Sequence, residues 1–302
     1  MLLRVVHETA YDYAPPVRTA QHMAHLKPAH DDRQRLLRHR LEVLPAPAQL
    51  SEALDVFGNT RSFFSLQATH ERLAVRADSL VATAVPAWPQ EGPAWETVRE
   101  RLRYRRGGGF DPAVEFQFGS AYVPRHEDFA AYARPSFTPG RPLLEAAREL
   151  MARIHQDFRY EVQATDASTP ALQALALRRG VCQDFAHVML GCLRSLGLPA
   201  RYVSGYLLTA PPPGRTRLVG SDASHAWVSL YVPQEDTGSG AWAELDPTNN
   251  RAPAEDYVRL AVGRDYADVS PVRGVIQGGT RHTLRVAVTV EPVEAPPSEV
   301  PS

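Results

Sequence analysis

Apolar and polar positions divide the chain into regions of different period. Over residues 1–85 the apolar positions fall in short runs, at 2–6, 40–43, 61–66 and 73–85, separated by turn residues, which predicts strands. Asp55-Val56-Phe57-Gly58-Asn59 is a turn signal, because Gly58 and Asn59 both tolerate positive φ. From 86 to 140 the pattern is broken by Pro86, Pro89, Pro93, the glycines at 107–109, Pro112, Pro124 and Pro135. That density predicts a connector running over the surface, with one short helix around 95–104.

Beyond 140 the period changes. Leu143, Ala147, Leu150, Ile154 and Phe158 recur at spacings of three and four behind Pro142, which predicts an amphipathic helix. A second helix is predicted from Thr169-Pro170 to Gly180, with threonine as cap and proline at the first helical position. A third spans 182–196 and stops at Gly197, with Pro199 behind it. Strands are expected at 200–209, 223–232 and 241–246. Between the first two, Pro211-Pro212-Pro213-Gly214 through Ser221-Asp222 makes a long connection that reads as a rim, a lid or a mobile excursion. The segment 291–302 carries four prolines in twelve residues and is expected to be disordered. No repeat of 20–50 residues is visible. The expected organisation is a β-rich N-terminal domain at 1–85, a connector at 86–140, an α+β core at 141–290 and a tail at 291–302.

Composition narrows the function classes. The 302 residues carry a net charge of −1, so no bulk field favours nucleic acid or an anionic membrane, and neither is expected as a partner. No apolar run is long enough to span a bilayer, and Met1-Leu2-Leu3-Arg4 meets His7 and Glu8 without a signal-like apolar stretch. The two cysteines, Cys182 and Cys192, fall in one predicted helix, roughly 15 Å apart along its axis. A disulfide needs Cα atoms within about 7 Å, so both are expected as free thiols in a reducing, cytoplasmic setting. Lys27 is the sole lysine, which coding bias toward arginine explains. The cysteines and histidines lack metal-ligand spacing, Asp265 and Asp268 are too sparse for a calcium loop, and no phosphate loop or dinucleotide fingerprint occurs. No metal or cofactor is expected.

Candidate chemistry gathers around Cys182. A helix N-terminus presents unpaired N–H groups and a partial positive charge, which favours a thiolate and can also serve a developing oxyanion. Cys192, between Gly191 and Leu193, reads as core filler. Downstream, His225 opens one strand and Asp246 closes the next, with a turn-rich stretch at 233–240 that predicts a hairpin. If Tyr231 faces Gly240, antiparallel register sets 225 opposite 246, with Cβ atoms roughly 5 Å apart. The carboxylate would then hold one imidazole nitrogen and leave the other for a thiol. A slip of one residue would put the two on opposite faces. His187 lies about 140° around the helix from Cys182 and should not face it. Asp184, in the first turn, reads as a helix cap; Trp227 either lines the cleft or packs the sheet; Thr248 and Asn249 fix the turn after Asp246.

Arg179-Gly180-Val181-Cys182-Gln183-Asp184-Phe185-Ala186-His187, then Ala223-Ser224-His225-Ala226-Trp227, then Leu245-Asp246-Pro247-Thr248-Asn249 resemble the bacterial transglutaminase-like family in order and spacing. The β-rich first region and Gly263-Arg264-Asp265-Tyr266-Ala267-Asp268-Val269-Ser270-Pro271 resemble it as well. The resemblance implies an α+β fold: a papain-like transglutaminase core behind a β-rich, sandwich-like N-terminal domain. It implies Cys182 as nucleophile, His225 as base and Asp246 as orienting acid. Members of the superfamily supply a further oxyanion donor from an aromatic or amide side chain; Tyr160 is the candidate here, with core packing as its alternative, and Gln183, Asp184 and Trp227 are further support candidates. The expected chemistry is acyl transfer through a Cys182 thioester from a peptide or protein amide. Hydrolysis is favoured because water needs no second binding site. The alternatives are amine transfer by a transglutaminase or ligase, and a non-catalytic binding or scaffold protein of the same fold.

Overall fold

The computed structural model describes residues 1–85, 92–103, 109–209, 224–234 and 240–294. The Pro-rich connection at 210–223, the parts of the expected connector at 86–91 and 104–108, the hairpin turn at 235–239 and the tail from 295 lie outside the described residues.

Alternation builds the first sheet. In β1 (Leu2–Ala24), Leu3, Val5, His7 and Thr9 are buried in turn, so the strand continues far past the expected end at 6. The extension is hidden in the sequence because His7 and Thr9 are polar residues on a buried face. β2 (Gln34–Leu44), β3 (Gln49–Leu54), β4 (Thr60–Leu66) and β5 (His70–Thr83) complete an antiparallel array in the order β2-β5-β1-β4-β3. β1 pairs with β5 over Leu2–Asp12, shifts register before Val17 meets His70 of β5, and pairs with β4 over Ala20–Ala24.

The expected connector is more than a surface wrap. It holds α1 (Trp95–Arg101), a 3-10 turn over Pro112–Gln117 and α2 (Glu127–Ala133), and it buries Trp95, Val98, Phe116, Phe129 and Phe137. α3 (Leu143–Asp157) buries Leu143, Ala147, Leu150 and Ile154, the predicted stripe. β6 (Arg159–Tyr160) pairs in parallel with β7 (Arg179–Gly180). Between them α4 (Ala171–Leu177) has Pro170 itself as N-cap and ends short of Gly180, because Arg178 takes a left-handed φ of 52°. α5 (Cys182–Ser195) follows, and Gly197 leaves it with φ of 82°.

β8 (Ala200–Leu207), β9 (Ser224–Pro233), β10 (Gly240–Leu245) and β11 (Tyr257–Gly263) form a second antiparallel sheet, order β10-β9-β8-β11. The β9–β10 register sets Gly240 opposite Pro233 and Leu245 opposite Val228, two residues away from the expected pairing. Because side chains alternate with a period of two, that slip keeps His225 and Asp246 on one face. α6 (Tyr266–Val269) then leads into β12 (Val272–Gly278) and β13 (Arg281–Pro292), which return to the first sheet and pair with β1. Residues 272–290, expected with the second unit, therefore belong to the first by strand pairing, and Glu291 and Pro292 of the expected tail are part of β13. The reason is nonlocal: the partner of β13 lies at the opposite end of the chain.

The two units share one hydrophobic core. Leu3, Val5, Val81, Val288 and Val290 of the first sheet pack in the same cluster as Leu150, Ile154, Val188 and Leu193. Burying each such side chain stabilises the fold by about 1.5–3 kcal/mol. Fully buried Arg194 fastens the end of α5: its guanidinium donates to the carbonyls of Ala200 and Arg264 and to the Ser120 hydroxyl. Among the described residues no helix is long and apolar enough to cross a membrane.

Candidate active site

The start of α5 is fixed by the residues around Cys182. The Asp184 carboxylate accepts from the Val181 N–H at 2.8 Å and from the Thr165 hydroxyl at 2.6 Å, so it caps the helix as expected. Gly180 leaves room for that carboxylate: a Cβ there would lie 2.3 Å from Asp184 Oδ2. Burial pushes the Asp184 carboxyl up, against these hydrogen bonds. The opening N–H groups of a helix have no acceptor within it, which leaves that of Cys182 beside its own thiol. Cys182 is partly exposed, and its Sγ lies 3.9 Å from the Ser224 carbonyl oxygen. Cys192 is buried and its thiol pushed far up by that burial.

His225 Nε2 lies 2.7 Å from Asp246 Oδ2, which leaves Nδ1 for the Cys182 thiol. Burial opposes charge on this imidazole, but hydrogen bonds to Asp246 and Cys182 outweigh it and push the ring up to about 10. Burial likewise opposes ionisation of Asp246, and the His225 hydrogen bond with further donors holds the carboxyl below its usual range. Those donors are the Tyr257 hydroxyl and the Asn249 side-chain amide, each at 2.7 Å from Oδ2, and the backbone N–H groups of Thr248 and Asn249 on Oδ1. Asp246 is fully buried, so these donors replace its water. Sequence reasoning anticipates Thr248 and Asn249 as turn residues and passes over Tyr257. The only available signal was a tyrosine opening a strand-like run at 257–263.

Cys182 and His225 open into a cavity of about 250 Å³. Val181, Gln183, Tyr202 and Ser204 line it from the core, and His7, Thr9, Tyr11, Leu284 and Val286 close it from the first sheet. The remaining sequence candidates stand at different distances from this chamber. Gln183 lines it, with its side-chain amide donating to the Ala167 carbonyl at 3.0 Å. Tyr160 lies on β6, 52% exposed and outside the lining, its ring 6.4 Å from that of Phe185. Its phenol is pushed up by burial and then by the nearness of Cys182 and Asp184. Trp227 packs the sheet: it is fully buried, stacks behind His225 at 6.1 Å and donates to Glu244 at 3.0 Å. His187 faces away from Cys182, stacked on Tyr122 and accepting from the Tyr266 N–H.

Volume alone does not locate the chemistry. A larger cavity, about 1020 Å³, lies between Asp55–Phe57 in the β3–β4 turn and Trp242 and Arg201 of the second sheet, and neither cysteine lines it. Asp265 caps α6 and Asp268 pairs with Arg264, so both carboxylates have structural partners. Among the described residues no cluster of three His, Cys, Asp or Glu side chains is arranged to hold a metal ion.

Residues 3–82 match the bacterial transglutaminase-like N-terminal region, and residues 130–247 match the transglutaminase-like superfamily. An uncharacterized protein of Mycobacterium tuberculosis is 41% identical over 297 residues, covering 96% of this chain and 93% of its own. A protein-glutamine gamma-glutamyltransferase of Pseudomonas aeruginosa is 29% identical over 201 residues, 59% of this chain and 29% of its own. Among solved structures, a Cytophaga hutchinsonii protein provisionally assigned as a cysteine protease superposes with a TM-score of 0.71 at 20% identity, over 98% of this chain and 93% of its own. That likeness speaks to the fold.

Proposed function

The chain belongs to the transglutaminase-like superfamily, and from that premise we propose that it is a cysteine-dependent hydrolase of peptide or isopeptide amides. The observation that carries this reading is His225, hydrogen-bonded to buried Asp246 at 2.7 Å and lining one cavity with Cys182 at the start of α5. The Cys182 thiolate attacks the amide carbonyl carbon, and the resulting oxyanion takes the Cys182 N–H at the helix start. His225 gives its proton to the departing nitrogen, the C–N bond breaks, and an acyl thioester remains on Sγ. His225, now neutral, takes a proton from water as its oxygen attacks the thioester carbonyl; the C–S bond breaks, and a carboxylic acid leaves. Asp246 holds the ring so that one nitrogen faces the thiol throughout. Two unpaired thiols fit a reducing, cytoplasmic setting, which fractionation of the native host tests.

A second reading, transfer of the acyl group to an amine, is favoured by the partial match to the Pseudomonas aeruginosa glutamyltransferase. Mass spectrometry of a peptide library incubated with the enzyme, with and without a primary amine, separates the two. Cleaved or deamidated peptides that carry no added amine support hydrolysis. Amine-bearing products would replace it with transfer. No product in either arm would leave the scaffold reading in its place.

A further inference from the structure

The register between β1 and β13 sets Tyr11 opposite Leu284, Thr9 opposite Val286 and His7 opposite Val288. Alternate residues of a strand share a face, so these pairs form one strip on the sheet. All but Val288 line the Cys182 cavity. The strip is graded in depth. His7 and Val288 are 1% exposed at its inner end, whereas Val286 is 52% and Leu284 50% exposed toward the mouth. At the inner end the His7 ring nitrogens are occupied by the Tyr206 hydroxyl at 2.8 Å and the Thr9 hydroxyl at 3.0 Å. Burial pushes the His7 imidazole down to about 4, so the wall is neutral. Pro271 and Val272 extend the apolar rim, and no Asp, Glu, Lys or Arg lines the chamber among the described residues.

We propose that this strip is the subsite for an uncharged, apolar residue flanking the scissile amide, so that the N-terminal sheet rather than the catalytic core sets side-chain preference. The inference deepens the hydrolase reading and rests on it. Continuity with the reactive thiol identifies the occupant, since the strip and Cys182 line one cavity and a peptide whose carbonyl reaches Sγ brings its neighbouring side chains into that cavity. An apolar side chain gains by covering Leu284 and Val286. A charged one would lose its hydration with no countercharge on this strip to replace it, and the His225 cation in the same chamber is already paired with Asp246.

Neutral alkylating probes of graded size test the subsite without knowledge of the natural substrate. The rate of Cys182 modification by N-benzyl-iodoacetamide is divided by the rate with iodoacetamide, which cancels differences in thiol reactivity. The wild-type ratio is expected to be at least about tenfold, the scale of a small apolar contact at a reacting site. Leu284→Asp and Val286→Asp bring it toward one, and the milder Leu284→Gln lowers it in the same direction if the charged variants fold poorly. Val275→Asp, on β12 at a position 79% exposed and outside the cavity lining, leaves the ratio unchanged. A wild-type ratio near one on a selectively labelled Cys182, or a ratio that Leu284 and Val286 do not move, overturns the subsite alone. Failure of iodoacetamide to distinguish Cys182 from Cys192 overturns the hydrolase reading, and this inference with it.

Discussion

His225 is the residue on which the proposed chemistry turns, and its environment sets a pH window. Its imidazole holds a proton up to about 10, because Asp246 and Cys182 outweigh the burial that opposes charge. The ordinary histidine value is near 6.5, so the folded state binds the proton more tightly than the unfolded chain. The resulting stabilisation is complete below about 6.5 and is lost as pH rises toward about 10. The departing nitrogen needs that same proton, so the alkaline limb of kcat/KM is expected at about 10 in the wild type. Asp246→Asn removes the anion and moves the limb down toward 6.5, with turnover reduced by orders of magnitude and a melting transition that stays cooperative at a lower temperature. A limb that stays in place after this substitution removes Asp246 from control of His225. Tyr257 acts one step further out, since its hydroxyl donates to Asp246. Tyr257→Phe leaves Asn249 and the turn N–H groups on the carboxylate, so kcat is expected to fall about tenfold rather than to vanish. The apparent pKa of the alkaline limb should rise, because an Asp246 with fewer donors binds the imidazolium more strongly. A wild-type kcat and pH profile in Tyr257→Phe would make the contact purely structural.

Among the elements, α5 carries the proposed nucleophile, and its first turn depends on the absence of one side chain. Asp184 can cap Val181 only because position 180 has no Cβ. Gly180→Ala is expected to displace the Asp184 carboxylate, cost about 1–2 kcal/mol in helix capping, and cut Cys182 alkylation several-fold. Normal alkylation by Gly180→Ala protein with an unchanged melting temperature would show that the cap does not position the thiol. This element was legible in the sequence because its signals are local: a capping aspartate, a stripe at helical spacing and a terminating glycine. The His225–Asp246 pairing was legible for another reason. Two-residue periodicity protects it, so a register two residues out still placed both on one face. Tyr257 was not legible, because nothing in a run of alternating strand residues announces that its first member reaches back across a turn to Asp246. The full length of β1 was obscured by His7 and Thr9, whose polar side chains are buried through partners on other elements.

At the scale of the whole molecule, the first sheet and the catalytic core are bound into one body by the return of the chain. β12 and β13 both pair with β1, and Leu3, Val5, Val288 and Val290 sit in the same core as α3 and α5. Buried polar ties cross the same boundary: Glu244 of β10 pairs with Arg33 from the β1–β2 connection, and Gln34 exchanges hydrogen bonds with the Arg259 backbone. Local periodicity cannot report such pairing, since the sequence separation between partners spans nearly the entire chain. A clear consequence follows for truncation. A chain covering residues 92–294 would keep Cys182, His225 and Asp246 but deprive β12 and β13 of their strand partner and expose the apolar face of the core. Such a chain is expected to bind a hydrophobic dye, to lose its near-ultraviolet circular dichroism and to melt without a cooperative transition. Its Cys182 should also lose the selective reactivity of the intact protein, because Tyr11, Leu284 and Val286 no longer close the chamber around it. Cooperative melting of the truncated chain, with Cys182 still labelled selectively, would show instead that the core folds and reacts without the sheet.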